Sequence, residues 1–378
     1  MKNYAIVLAT IFMLFFTSCE SWLDIQQEGE VTVDQLYSTG EGYRTALNGV
    51  YQAMGRPALY GREFSFGLVD CMSQQYDLAN ESFSTDLYIK ASEFKYNDVS
   101  LVDFIDNIWT SGFKVIANAN DLIQNIEKAS PELFEEGELE RNLIMGEAYA
   151  CRALMHFDLL RLFAPALIND DQGTYVDTYP EIYATSMQVT PFLDKVIADL
   201  VKAKTLVADF DTTAAGIMAS KNGTARMSKA KSLDAKFGYG DFFAGRGYRL
   251  SYYSITALLA RVYQYAGKTT DALACAKEVV EFGKSSGTLF YKDDFSGITN
   301  VGTNVEAFEQ RTDLKLKSSL IFAAYNEKAY KESEIQRYFR LTTVDDNGSP
   351  VAPDYFKIKQ VELFNNRGGE EWQADIRS

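Results

Sequence analysis

Apolar residues recur at helical intervals along much of this chain. Tyr43, Leu47, Val50 and Met54 are spaced 4, 3 and 4, which places them on one face of an α-helix starting near Glu41. A longer stripe, Val102, Ile105, Trp109, Gly112, Ile116, Ala119, Ile123 and Ile126, is spaced 3, 4, 3, 4, 3, 4 and 3. It predicts one long amphipathic helix with Gly112 as its weak point. A third helix is predicted over roughly Glu138–Phe163, with Ile144, Ala148, Cys151, Met155, Leu159 and Leu162 on one face and Pro165 as its stop. Thr190-Pro191 opens a fourth, Thr at N-cap and Pro at N1, running to about Val207.

Residues 209–249 read as a long loop with short elements at most, punctuated by Gly238, Gly240, Gly245 and Gly247. Leu250–Gly283 is the most informative stretch. Ala260, Tyr263, Gly267 and Ala272 stand at positions 8, 11, 15 and 20 of a tetratricopeptide helix–turn–helix pattern. Small residues there let two antiparallel helices approach, Gly267 makes the turn, and the second helix continues through Ala276 and Val279. One such unit cannot bury its apolar face alone, so the preceding helices are its expected stacking partners. After Gly283 the chain turns irregular, with one more helical pattern near Lys328–Phe339 and a turn signal at Asp345-Asp346-Asn347-Gly348. The fold class predicted is mainly α: tetratricopeptide-like helical hairpins with long loop-rich insertions. Loops held by a rigid helical frame are where binding is expected.

The first residues are of another kind. Lys2 precedes the uncharged run Tyr4–Phe16, thirteen residues long. That suits the h-region of a signal peptide and falls short of a spanning helix. Phe16-Thr17-Ser18-Cys19 resembles a bacterial lipobox, in which the cysteine is acylated after cleavage. The expectation is a lipoprotein signal peptide over 1–18 and a mature chain anchored through Cys19. Several acyl chains on one residue hold a protein on a membrane far better than one chain does. Cys71, Cys151 and Cys275 then remain, an odd number, and Cys151 and Cys275 read as small core residues.

Charge and composition narrow the chemistry. The 378 residues carry 37 Lys and Arg against 52 Asp and Glu, a formal net charge of −15. Such a field disfavours nucleic acid as a partner. A single histidine, His156, excludes a multi-histidine metal site, and it reads as a core or boundary residue on the third helix. Gly267-Lys268-Thr269 lacks the glycine that a P-loop needs five residues upstream, where Val262 stands. Gly283-Lys284-Ser285-Ser286-Gly287 trails a helix instead of following a strand, so it is no nucleophile elbow. The acidic doublets, such as Glu135-Glu136 and Asp170-Asp171, point their carboxylates apart and read as solvated surface. No catalytic residue, cofactor or metal site is predicted. The calcium-ligand spacing of an EF-hand is missing around Asp345.

Aromatic residues are plentiful: 23 Tyr, 25 Phe and 3 Trp. Tyr76, Tyr88 and Trp372 fall in polar, loop-like stretches and are the candidate ligand contacts. Sugars stack their C–H faces on such rings while Asp, Asn and Arg bind the hydroxyls. The same rings could equally cap the helical frame.

The ordered blocks support a family resemblance. FTSC is followed by Trp22-Leu23-Asp24, then EGYRTALNGVYQAM (41–54), IANANDLIQNIE (116–127), GEAYACRALMHFDLLRLFA (146–164), PFLDKVIADLVKA (191–203) and ALLARVYQYAGKTTDALACAKEVVE (257–281). In this order and spacing the chain resembles the SusD/RagB family of outer-membrane nutrient-binding lipoproteins. Arg152-Ala153 before Phe157-Asp158-Leu159 and Arg161-Leu162 is similar to the family's third-helix motif. The resemblance implies a SusD-like α-α superhelix that is not an enzyme. It also implies a surface-exposed, lipid-anchored protein of the cell outer membrane. Such a protein binds glycan nutrients and delivers them to a SusC-like TonB-dependent transporter. A peptide-binding or purely protein-interacting lid is the alternative, and a surface glycosidase a more distant one. Cys19 is the one functional position that transfers by motif. The expected organisation is a single domain over 19–378, with a helical frame over about 41–208 and 250–283. A loop-rich ligand face is expected over about 55–100, 209–249 and 284–378. The resemblance also implies a further C-terminal segment beyond Ser378.

Overall fold

The computed structural model describes residues 32–78, 86–164, 171–221, 223–227, 236–286, 320–332 and 334–339, with residues 343–344, 350–351 and 356. Cys19, Trp372 and the Asp345–Gly348 turn lie outside the described residues.

A short helix α1 (Val33–Leu36) leads into α2 (Gly40–Met54), whose N-cap Thr39 side chain accepts from the Gly42 N–H. Tyr43, Leu47, Val50 and Met54 are all buried on its inner face, as their spacing predicts. Burial of each such side chain contributes about 1.5–3 kcal/mol. Two short helices, α3 (Leu68–Met72) and α4 (Asp86–Ser92), interrupt the stretch expected to be loop. Then follow the three long helices: α5 (Val99–Ile126), α6 (Gly137–Phe163) and α7 (Val189–Asp211). Smaller helices α8 (Ala214–Ser220) and α9 (Gly223–Arg226) precede the pair α10 (Tyr252–Tyr265) and α11 (Thr269–Ser286). Gly267 turns that pair at φ +73°, a left-handed conformation in which glycine avoids the Cβ penalty. Helices α12 (Ala329–Glu332) and α13 (Ile335–Phe339) fall inside the late helical pattern.

Neighbouring long helices are neighbours in space: α2 packs on α5, α5 on α6, α6 on α7, α7 on α10 and α10 on α11. This chain-ordered stack is the tetratricopeptide-like architecture. A two-stranded antiparallel hairpin, β1 (Asp171–Thr174) with β2 (Ser186–Gln188), lies between α6 and α7, pairing Thr174 with Ser186. A second small pair joins β3 (Thr343–Val344) to β4 (Pro350–Val351).

Four local expectations are corrected. On α5 the N-terminal half of the stripe is rotated: Val102 and Trp109 are exposed, while Leu101, Ile108 and Val115 are buried. Both rows of α5 are apolar at helical spacing, and packing against α2 and α6 selects the second. Gly112 is a contact rather than a weak point. A Cβ there would lie 2.8 Å from Cδ2 of Leu159 on α6, so its bare backbone lets the helices approach. Helix α6 is buried on every side from Leu143 to Leu160, not on one face, because α2, α5 and α7 surround it. Helix α7 begins at Val189 with Gln188 as N-cap, which leaves Pro191 in the first turn, where its missing N–H costs nothing.

Candidate functional site

Central helix α6 carries Glu147, Arg152, His156 and Asp158 through the core. Buried charges persist only when paired and hydrogen-bonded. Arg246 donates to both Asp211 carboxylate oxygens at 2.7 and 2.8 Å and to Glu147 at 2.5 Å. Arg249 donates to Glu147 at 2.8 Å, and so does the Tyr51 hydroxyl at 2.7 Å. That hydroxyl also accepts from the Leu250 N–H at 2.8 Å. Two carboxylates and two guanidiniums balance. Burial alone pushes the Glu147 carboxyl up, but Arg249 and Arg246 outweigh it and hold it below the usual range. The outcome is a rigid floor that fixes segment 240–250 against α2, α6 and α7.

Above this floor lies a cleft of about 600 Å³. Helix α2 supplies Glu41, Arg44 and Asn48, the α6 approach supplies Glu135, and the glycine-rich segment supplies Asp241, Phe242 and Arg249. Arg44 is held by Glu140 at 2.6 and 2.8 Å and by Glu135 at 2.9 Å. The guanidinium carbons of Arg249 and Arg44 stand 3.9 and 4.9 Å from the centre of the Phe242 ring. Arg249 further donates to the Phe242 carbonyl. Two cation–π contacts therefore set the position of this half-buried ring. Around it, Glu41, Asn48, Glu135 and Asp241 are exposed. The cleft combines one aromatic ring, an amide, carboxylates and anchored guanidiniums. That set can exchange hydrogen bonds with several hydroxyls of a neutral polar ligand.

The sequence-predicted residues fall elsewhere. Tyr76 and Tyr88 are 7% and 2% exposed, in a small cluster with Cys71, Leu78, Tyr338 and Phe356. Tyr76 stacks on Phe356 at 4.4 Å, and Tyr88 meets Tyr338 and Phe356 edge-on at 5.7 and 5.3 Å. Their hydroxyls donate to Asp70 and Glu63. Burial pushes the Glu63 carboxyl up, against Arg62. Tyr88 lies on α4 rather than in a loop, which is why its ring turns inward. The cluster ties 63–104 to 338–356 and leaves neither ring open to solvent.

His156 is fully buried, stacked on Tyr175 at 4.0 Å with Nε2 on the Val176 backbone. Desolvation lowers it to about 3, so it stays neutral. Cys71, Cys151 and Cys275 are unpaired thiols. Among the described residues no group of three His, Cys, Asp or Glu could hold a metal ion. Among them, too, no helix is long and apolar enough to cross a membrane.

Phe242 and its cleft were not singled out by the sequence, although the glycine cluster around it marked the segment. Its partners Arg44 and Arg249 are about 200 residues apart, and no local pattern joins them.

A family model described as SusD-like, "Starch-binding associating with outer membrane", matches residues 44–225. SusD-like protein P2 of Formosa agariphila is 26% identical over 215 residues, 55% of this chain and 39% of that protein. A SusD-like protein of Bacteroides ovatus is 24% identical over 178 residues, 47% of this chain and 30% of that one. The matched stretch thus spans well under half the length of these curated relatives. The crystal structure of a SusD-like carbohydrate binding protein from Bacteroides vulgatus shares the fold. It has a TM-score of 0.56 at 16% identity, over 87% of this chain and 59% of that one. With the ordered helical stack, the chain has the fold of SusD-like proteins and is similar to that family over residues 44–225.

Proposed function

We propose that this protein captures glycans at the cell outer membrane and hands them to a SusC-like TonB-dependent transporter, without acting as an enzyme. The observation that carries the reading is the cleft around Phe242. A positioned ring is surrounded by exposed Asn48, Asp241, Glu41 and Glu135 and by two anchored guanidiniums. It sits on a frame shared with a SusD-like carbohydrate binding protein. The family description, starch binding in association with the outer membrane, points the same way. Acylation of Cys19 supplies the membrane attachment, with residues 1–18 removed as a signal peptide. Trp372 adds a stacking ring, and Tyr76 and Tyr88 support the ligand face from within.

The experiment is electrophoresis of the detergent-solubilised chain in native gels holding single polysaccharides, with circular dichroism confirming the fold. Retardation by at least one polysaccharide is expected. A folded chain retarded by none, yet binding a peptide or a transporter, would replace this reading with the interaction-lid alternative.

A further inference from the structure

A second cleft has a volume of about 590 Å³. Ile217 and Met218 of α8, Phe282 of α11 and Phe237 line it, with Lys221 and Lys236. The Phe282 ring lies flat on Tyr253, at 3.7 Å and 16°, which fixes that wall. The Lys236 ammonium stands 5.2 Å from the centre of the Phe237 ring.

The lysines distinguish this cleft. Lys195, Lys202, Lys204 and Lys268 each hold a carboxylate at 2.7 to 2.9 Å. Lys221 and Lys236 are exposed, and among the described residues neither has a carboxylate within ion-pairing distance. The Phe242 cleft is the opposite case: both its arginines are already held by glutamates, and its other charged groups are carboxylates. One cleft has cations committed to carboxylates, the other exposed cations beside aromatic and aliphatic walls. The overall charge of −15 repels acidic polymers. At physiological ionic strength, however, fields are screened within about 8 Å, so two local ammoniums govern what this cleft attracts. An apolar wall with two adjacent cations matches a ring that has a C–H face and an anionic substituent.

We infer that this cleft is a subsite for an anionic sugar residue, one carrying a carboxylate or a sulfate. The inference rests on the glycan-binding reading and adds the charge class of the ligand. Phe237 and Phe242 are five residues apart on one segment. Their backbones therefore lie within about 18 Å of each other.

The test uses the full detergent-solubilised chain and its Lys221→Gln/Lys236→Gln variant. Native gels hold polygalacturonate, carrageenan or starch, and each mobility is normalised to an empty gel. At least one acidic polymer is expected to retard the unaltered chain, and which one separates carboxylate from sulfate. The variant should bind that polymer about tenfold more weakly, the loss of two exposed charge contacts. Retention should disappear in about 0.5 M NaCl, with starch retention unchanged by the substitutions. Retardation by starch alone, or equal retention of both chains on acidic gels, overturns the inference and leaves the glycan reading standing. If no polymer retards the folded chain, the glycan reading falls and takes this subsite with it.

Discussion

Replacing His156 by Gln isolates the energetic effect of a single proton. The imidazole is fully buried against Tyr175, Phe192 and Phe113, and burial lowers it from 6.5 to about 3. The charged groups that face it are Arg152, Asp177 and Lys195. Arg152 is held above its ordinary value and Asp177 below, with burial opposed in each by its ion-pair partner. In the unfolded chain the imidazole protonates through pH 6.5; in the folded chain it does not. The unfolded state therefore binds the extra proton, and stability falls as pH falls. Taking 6.5 and about 3 as the two values, the loss is about 2 kcal/mol at pH 5 and about 4 kcal/mol near pH 3. This is the sole histidine, so His156→Gln should remove that slope whatever it costs in packing. Urea unfolding of both chains at pH 7, 6 and 5 measures it. The gap between them should narrow by about 2 kcal/mol from pH 7 to pH 5. Parallel profiles, or a histidine NMR signal titrating near 6.5 in the folded chain, would refute the reasoning.

Other outcomes follow from the same packing. Arg246→Ala leaves Glu147 and Asp211 without their shared partner and should cost about 3–5 kcal/mol in urea unfolding. Because Glu147 is held below its ordinary value, its contribution should be present at neutral pH and fade as pH falls below the usual carboxylate range. Gly146→Ala should destabilise by about 1–3 kcal/mol although Ala favours helix. Its Cβ would lie 2.7 Å from Cγ1 of Val207 and 3.0 Å from the Ala203 carbonyl oxygen. Cys19→Ala should move the protein from the membrane to the soluble fraction, read by fractionation and by loss of acyl mass.

What the sequence discloses, and what it hides, follows from how each residue is stabilised. Tyr43, Leu47, Val50 and Met54 form one apolar row against a polar background, so periodicity alone finds their buried face. On α5 two apolar rows overlap, and only the neighbouring helices decide between 102/109 and 101/108/115. The helical pair around Gly267 is legible because its turn needs a residue at positive φ. Glu147, Arg152 and Asp158 look like surface residues in a helical pattern. They are buried by partners 3 to 102 residues away, from Arg161 to Arg249. Phe242 escapes notice for the same reason, since Arg44, about 200 residues away, joins Arg249 in turning an ordinary phenylalanine into the centre of a cleft. Tyr76 and Tyr88 show the converse: polar sequence neighbours suggest exposure, yet chain from beyond residue 330 covers both rings.

The central claim is that the Phe242 cleft holds glycan. Its most direct test is isothermal titration of the chain, and of its Asn48→Ala and Phe242→Ala variants, with oligosaccharides of the polymer that retards it. The account predicts binding weakened about tenfold in each variant with the fold intact by circular dichroism. Unchanged affinity in both variants would contradict it and move the ligand to another face of the molecule.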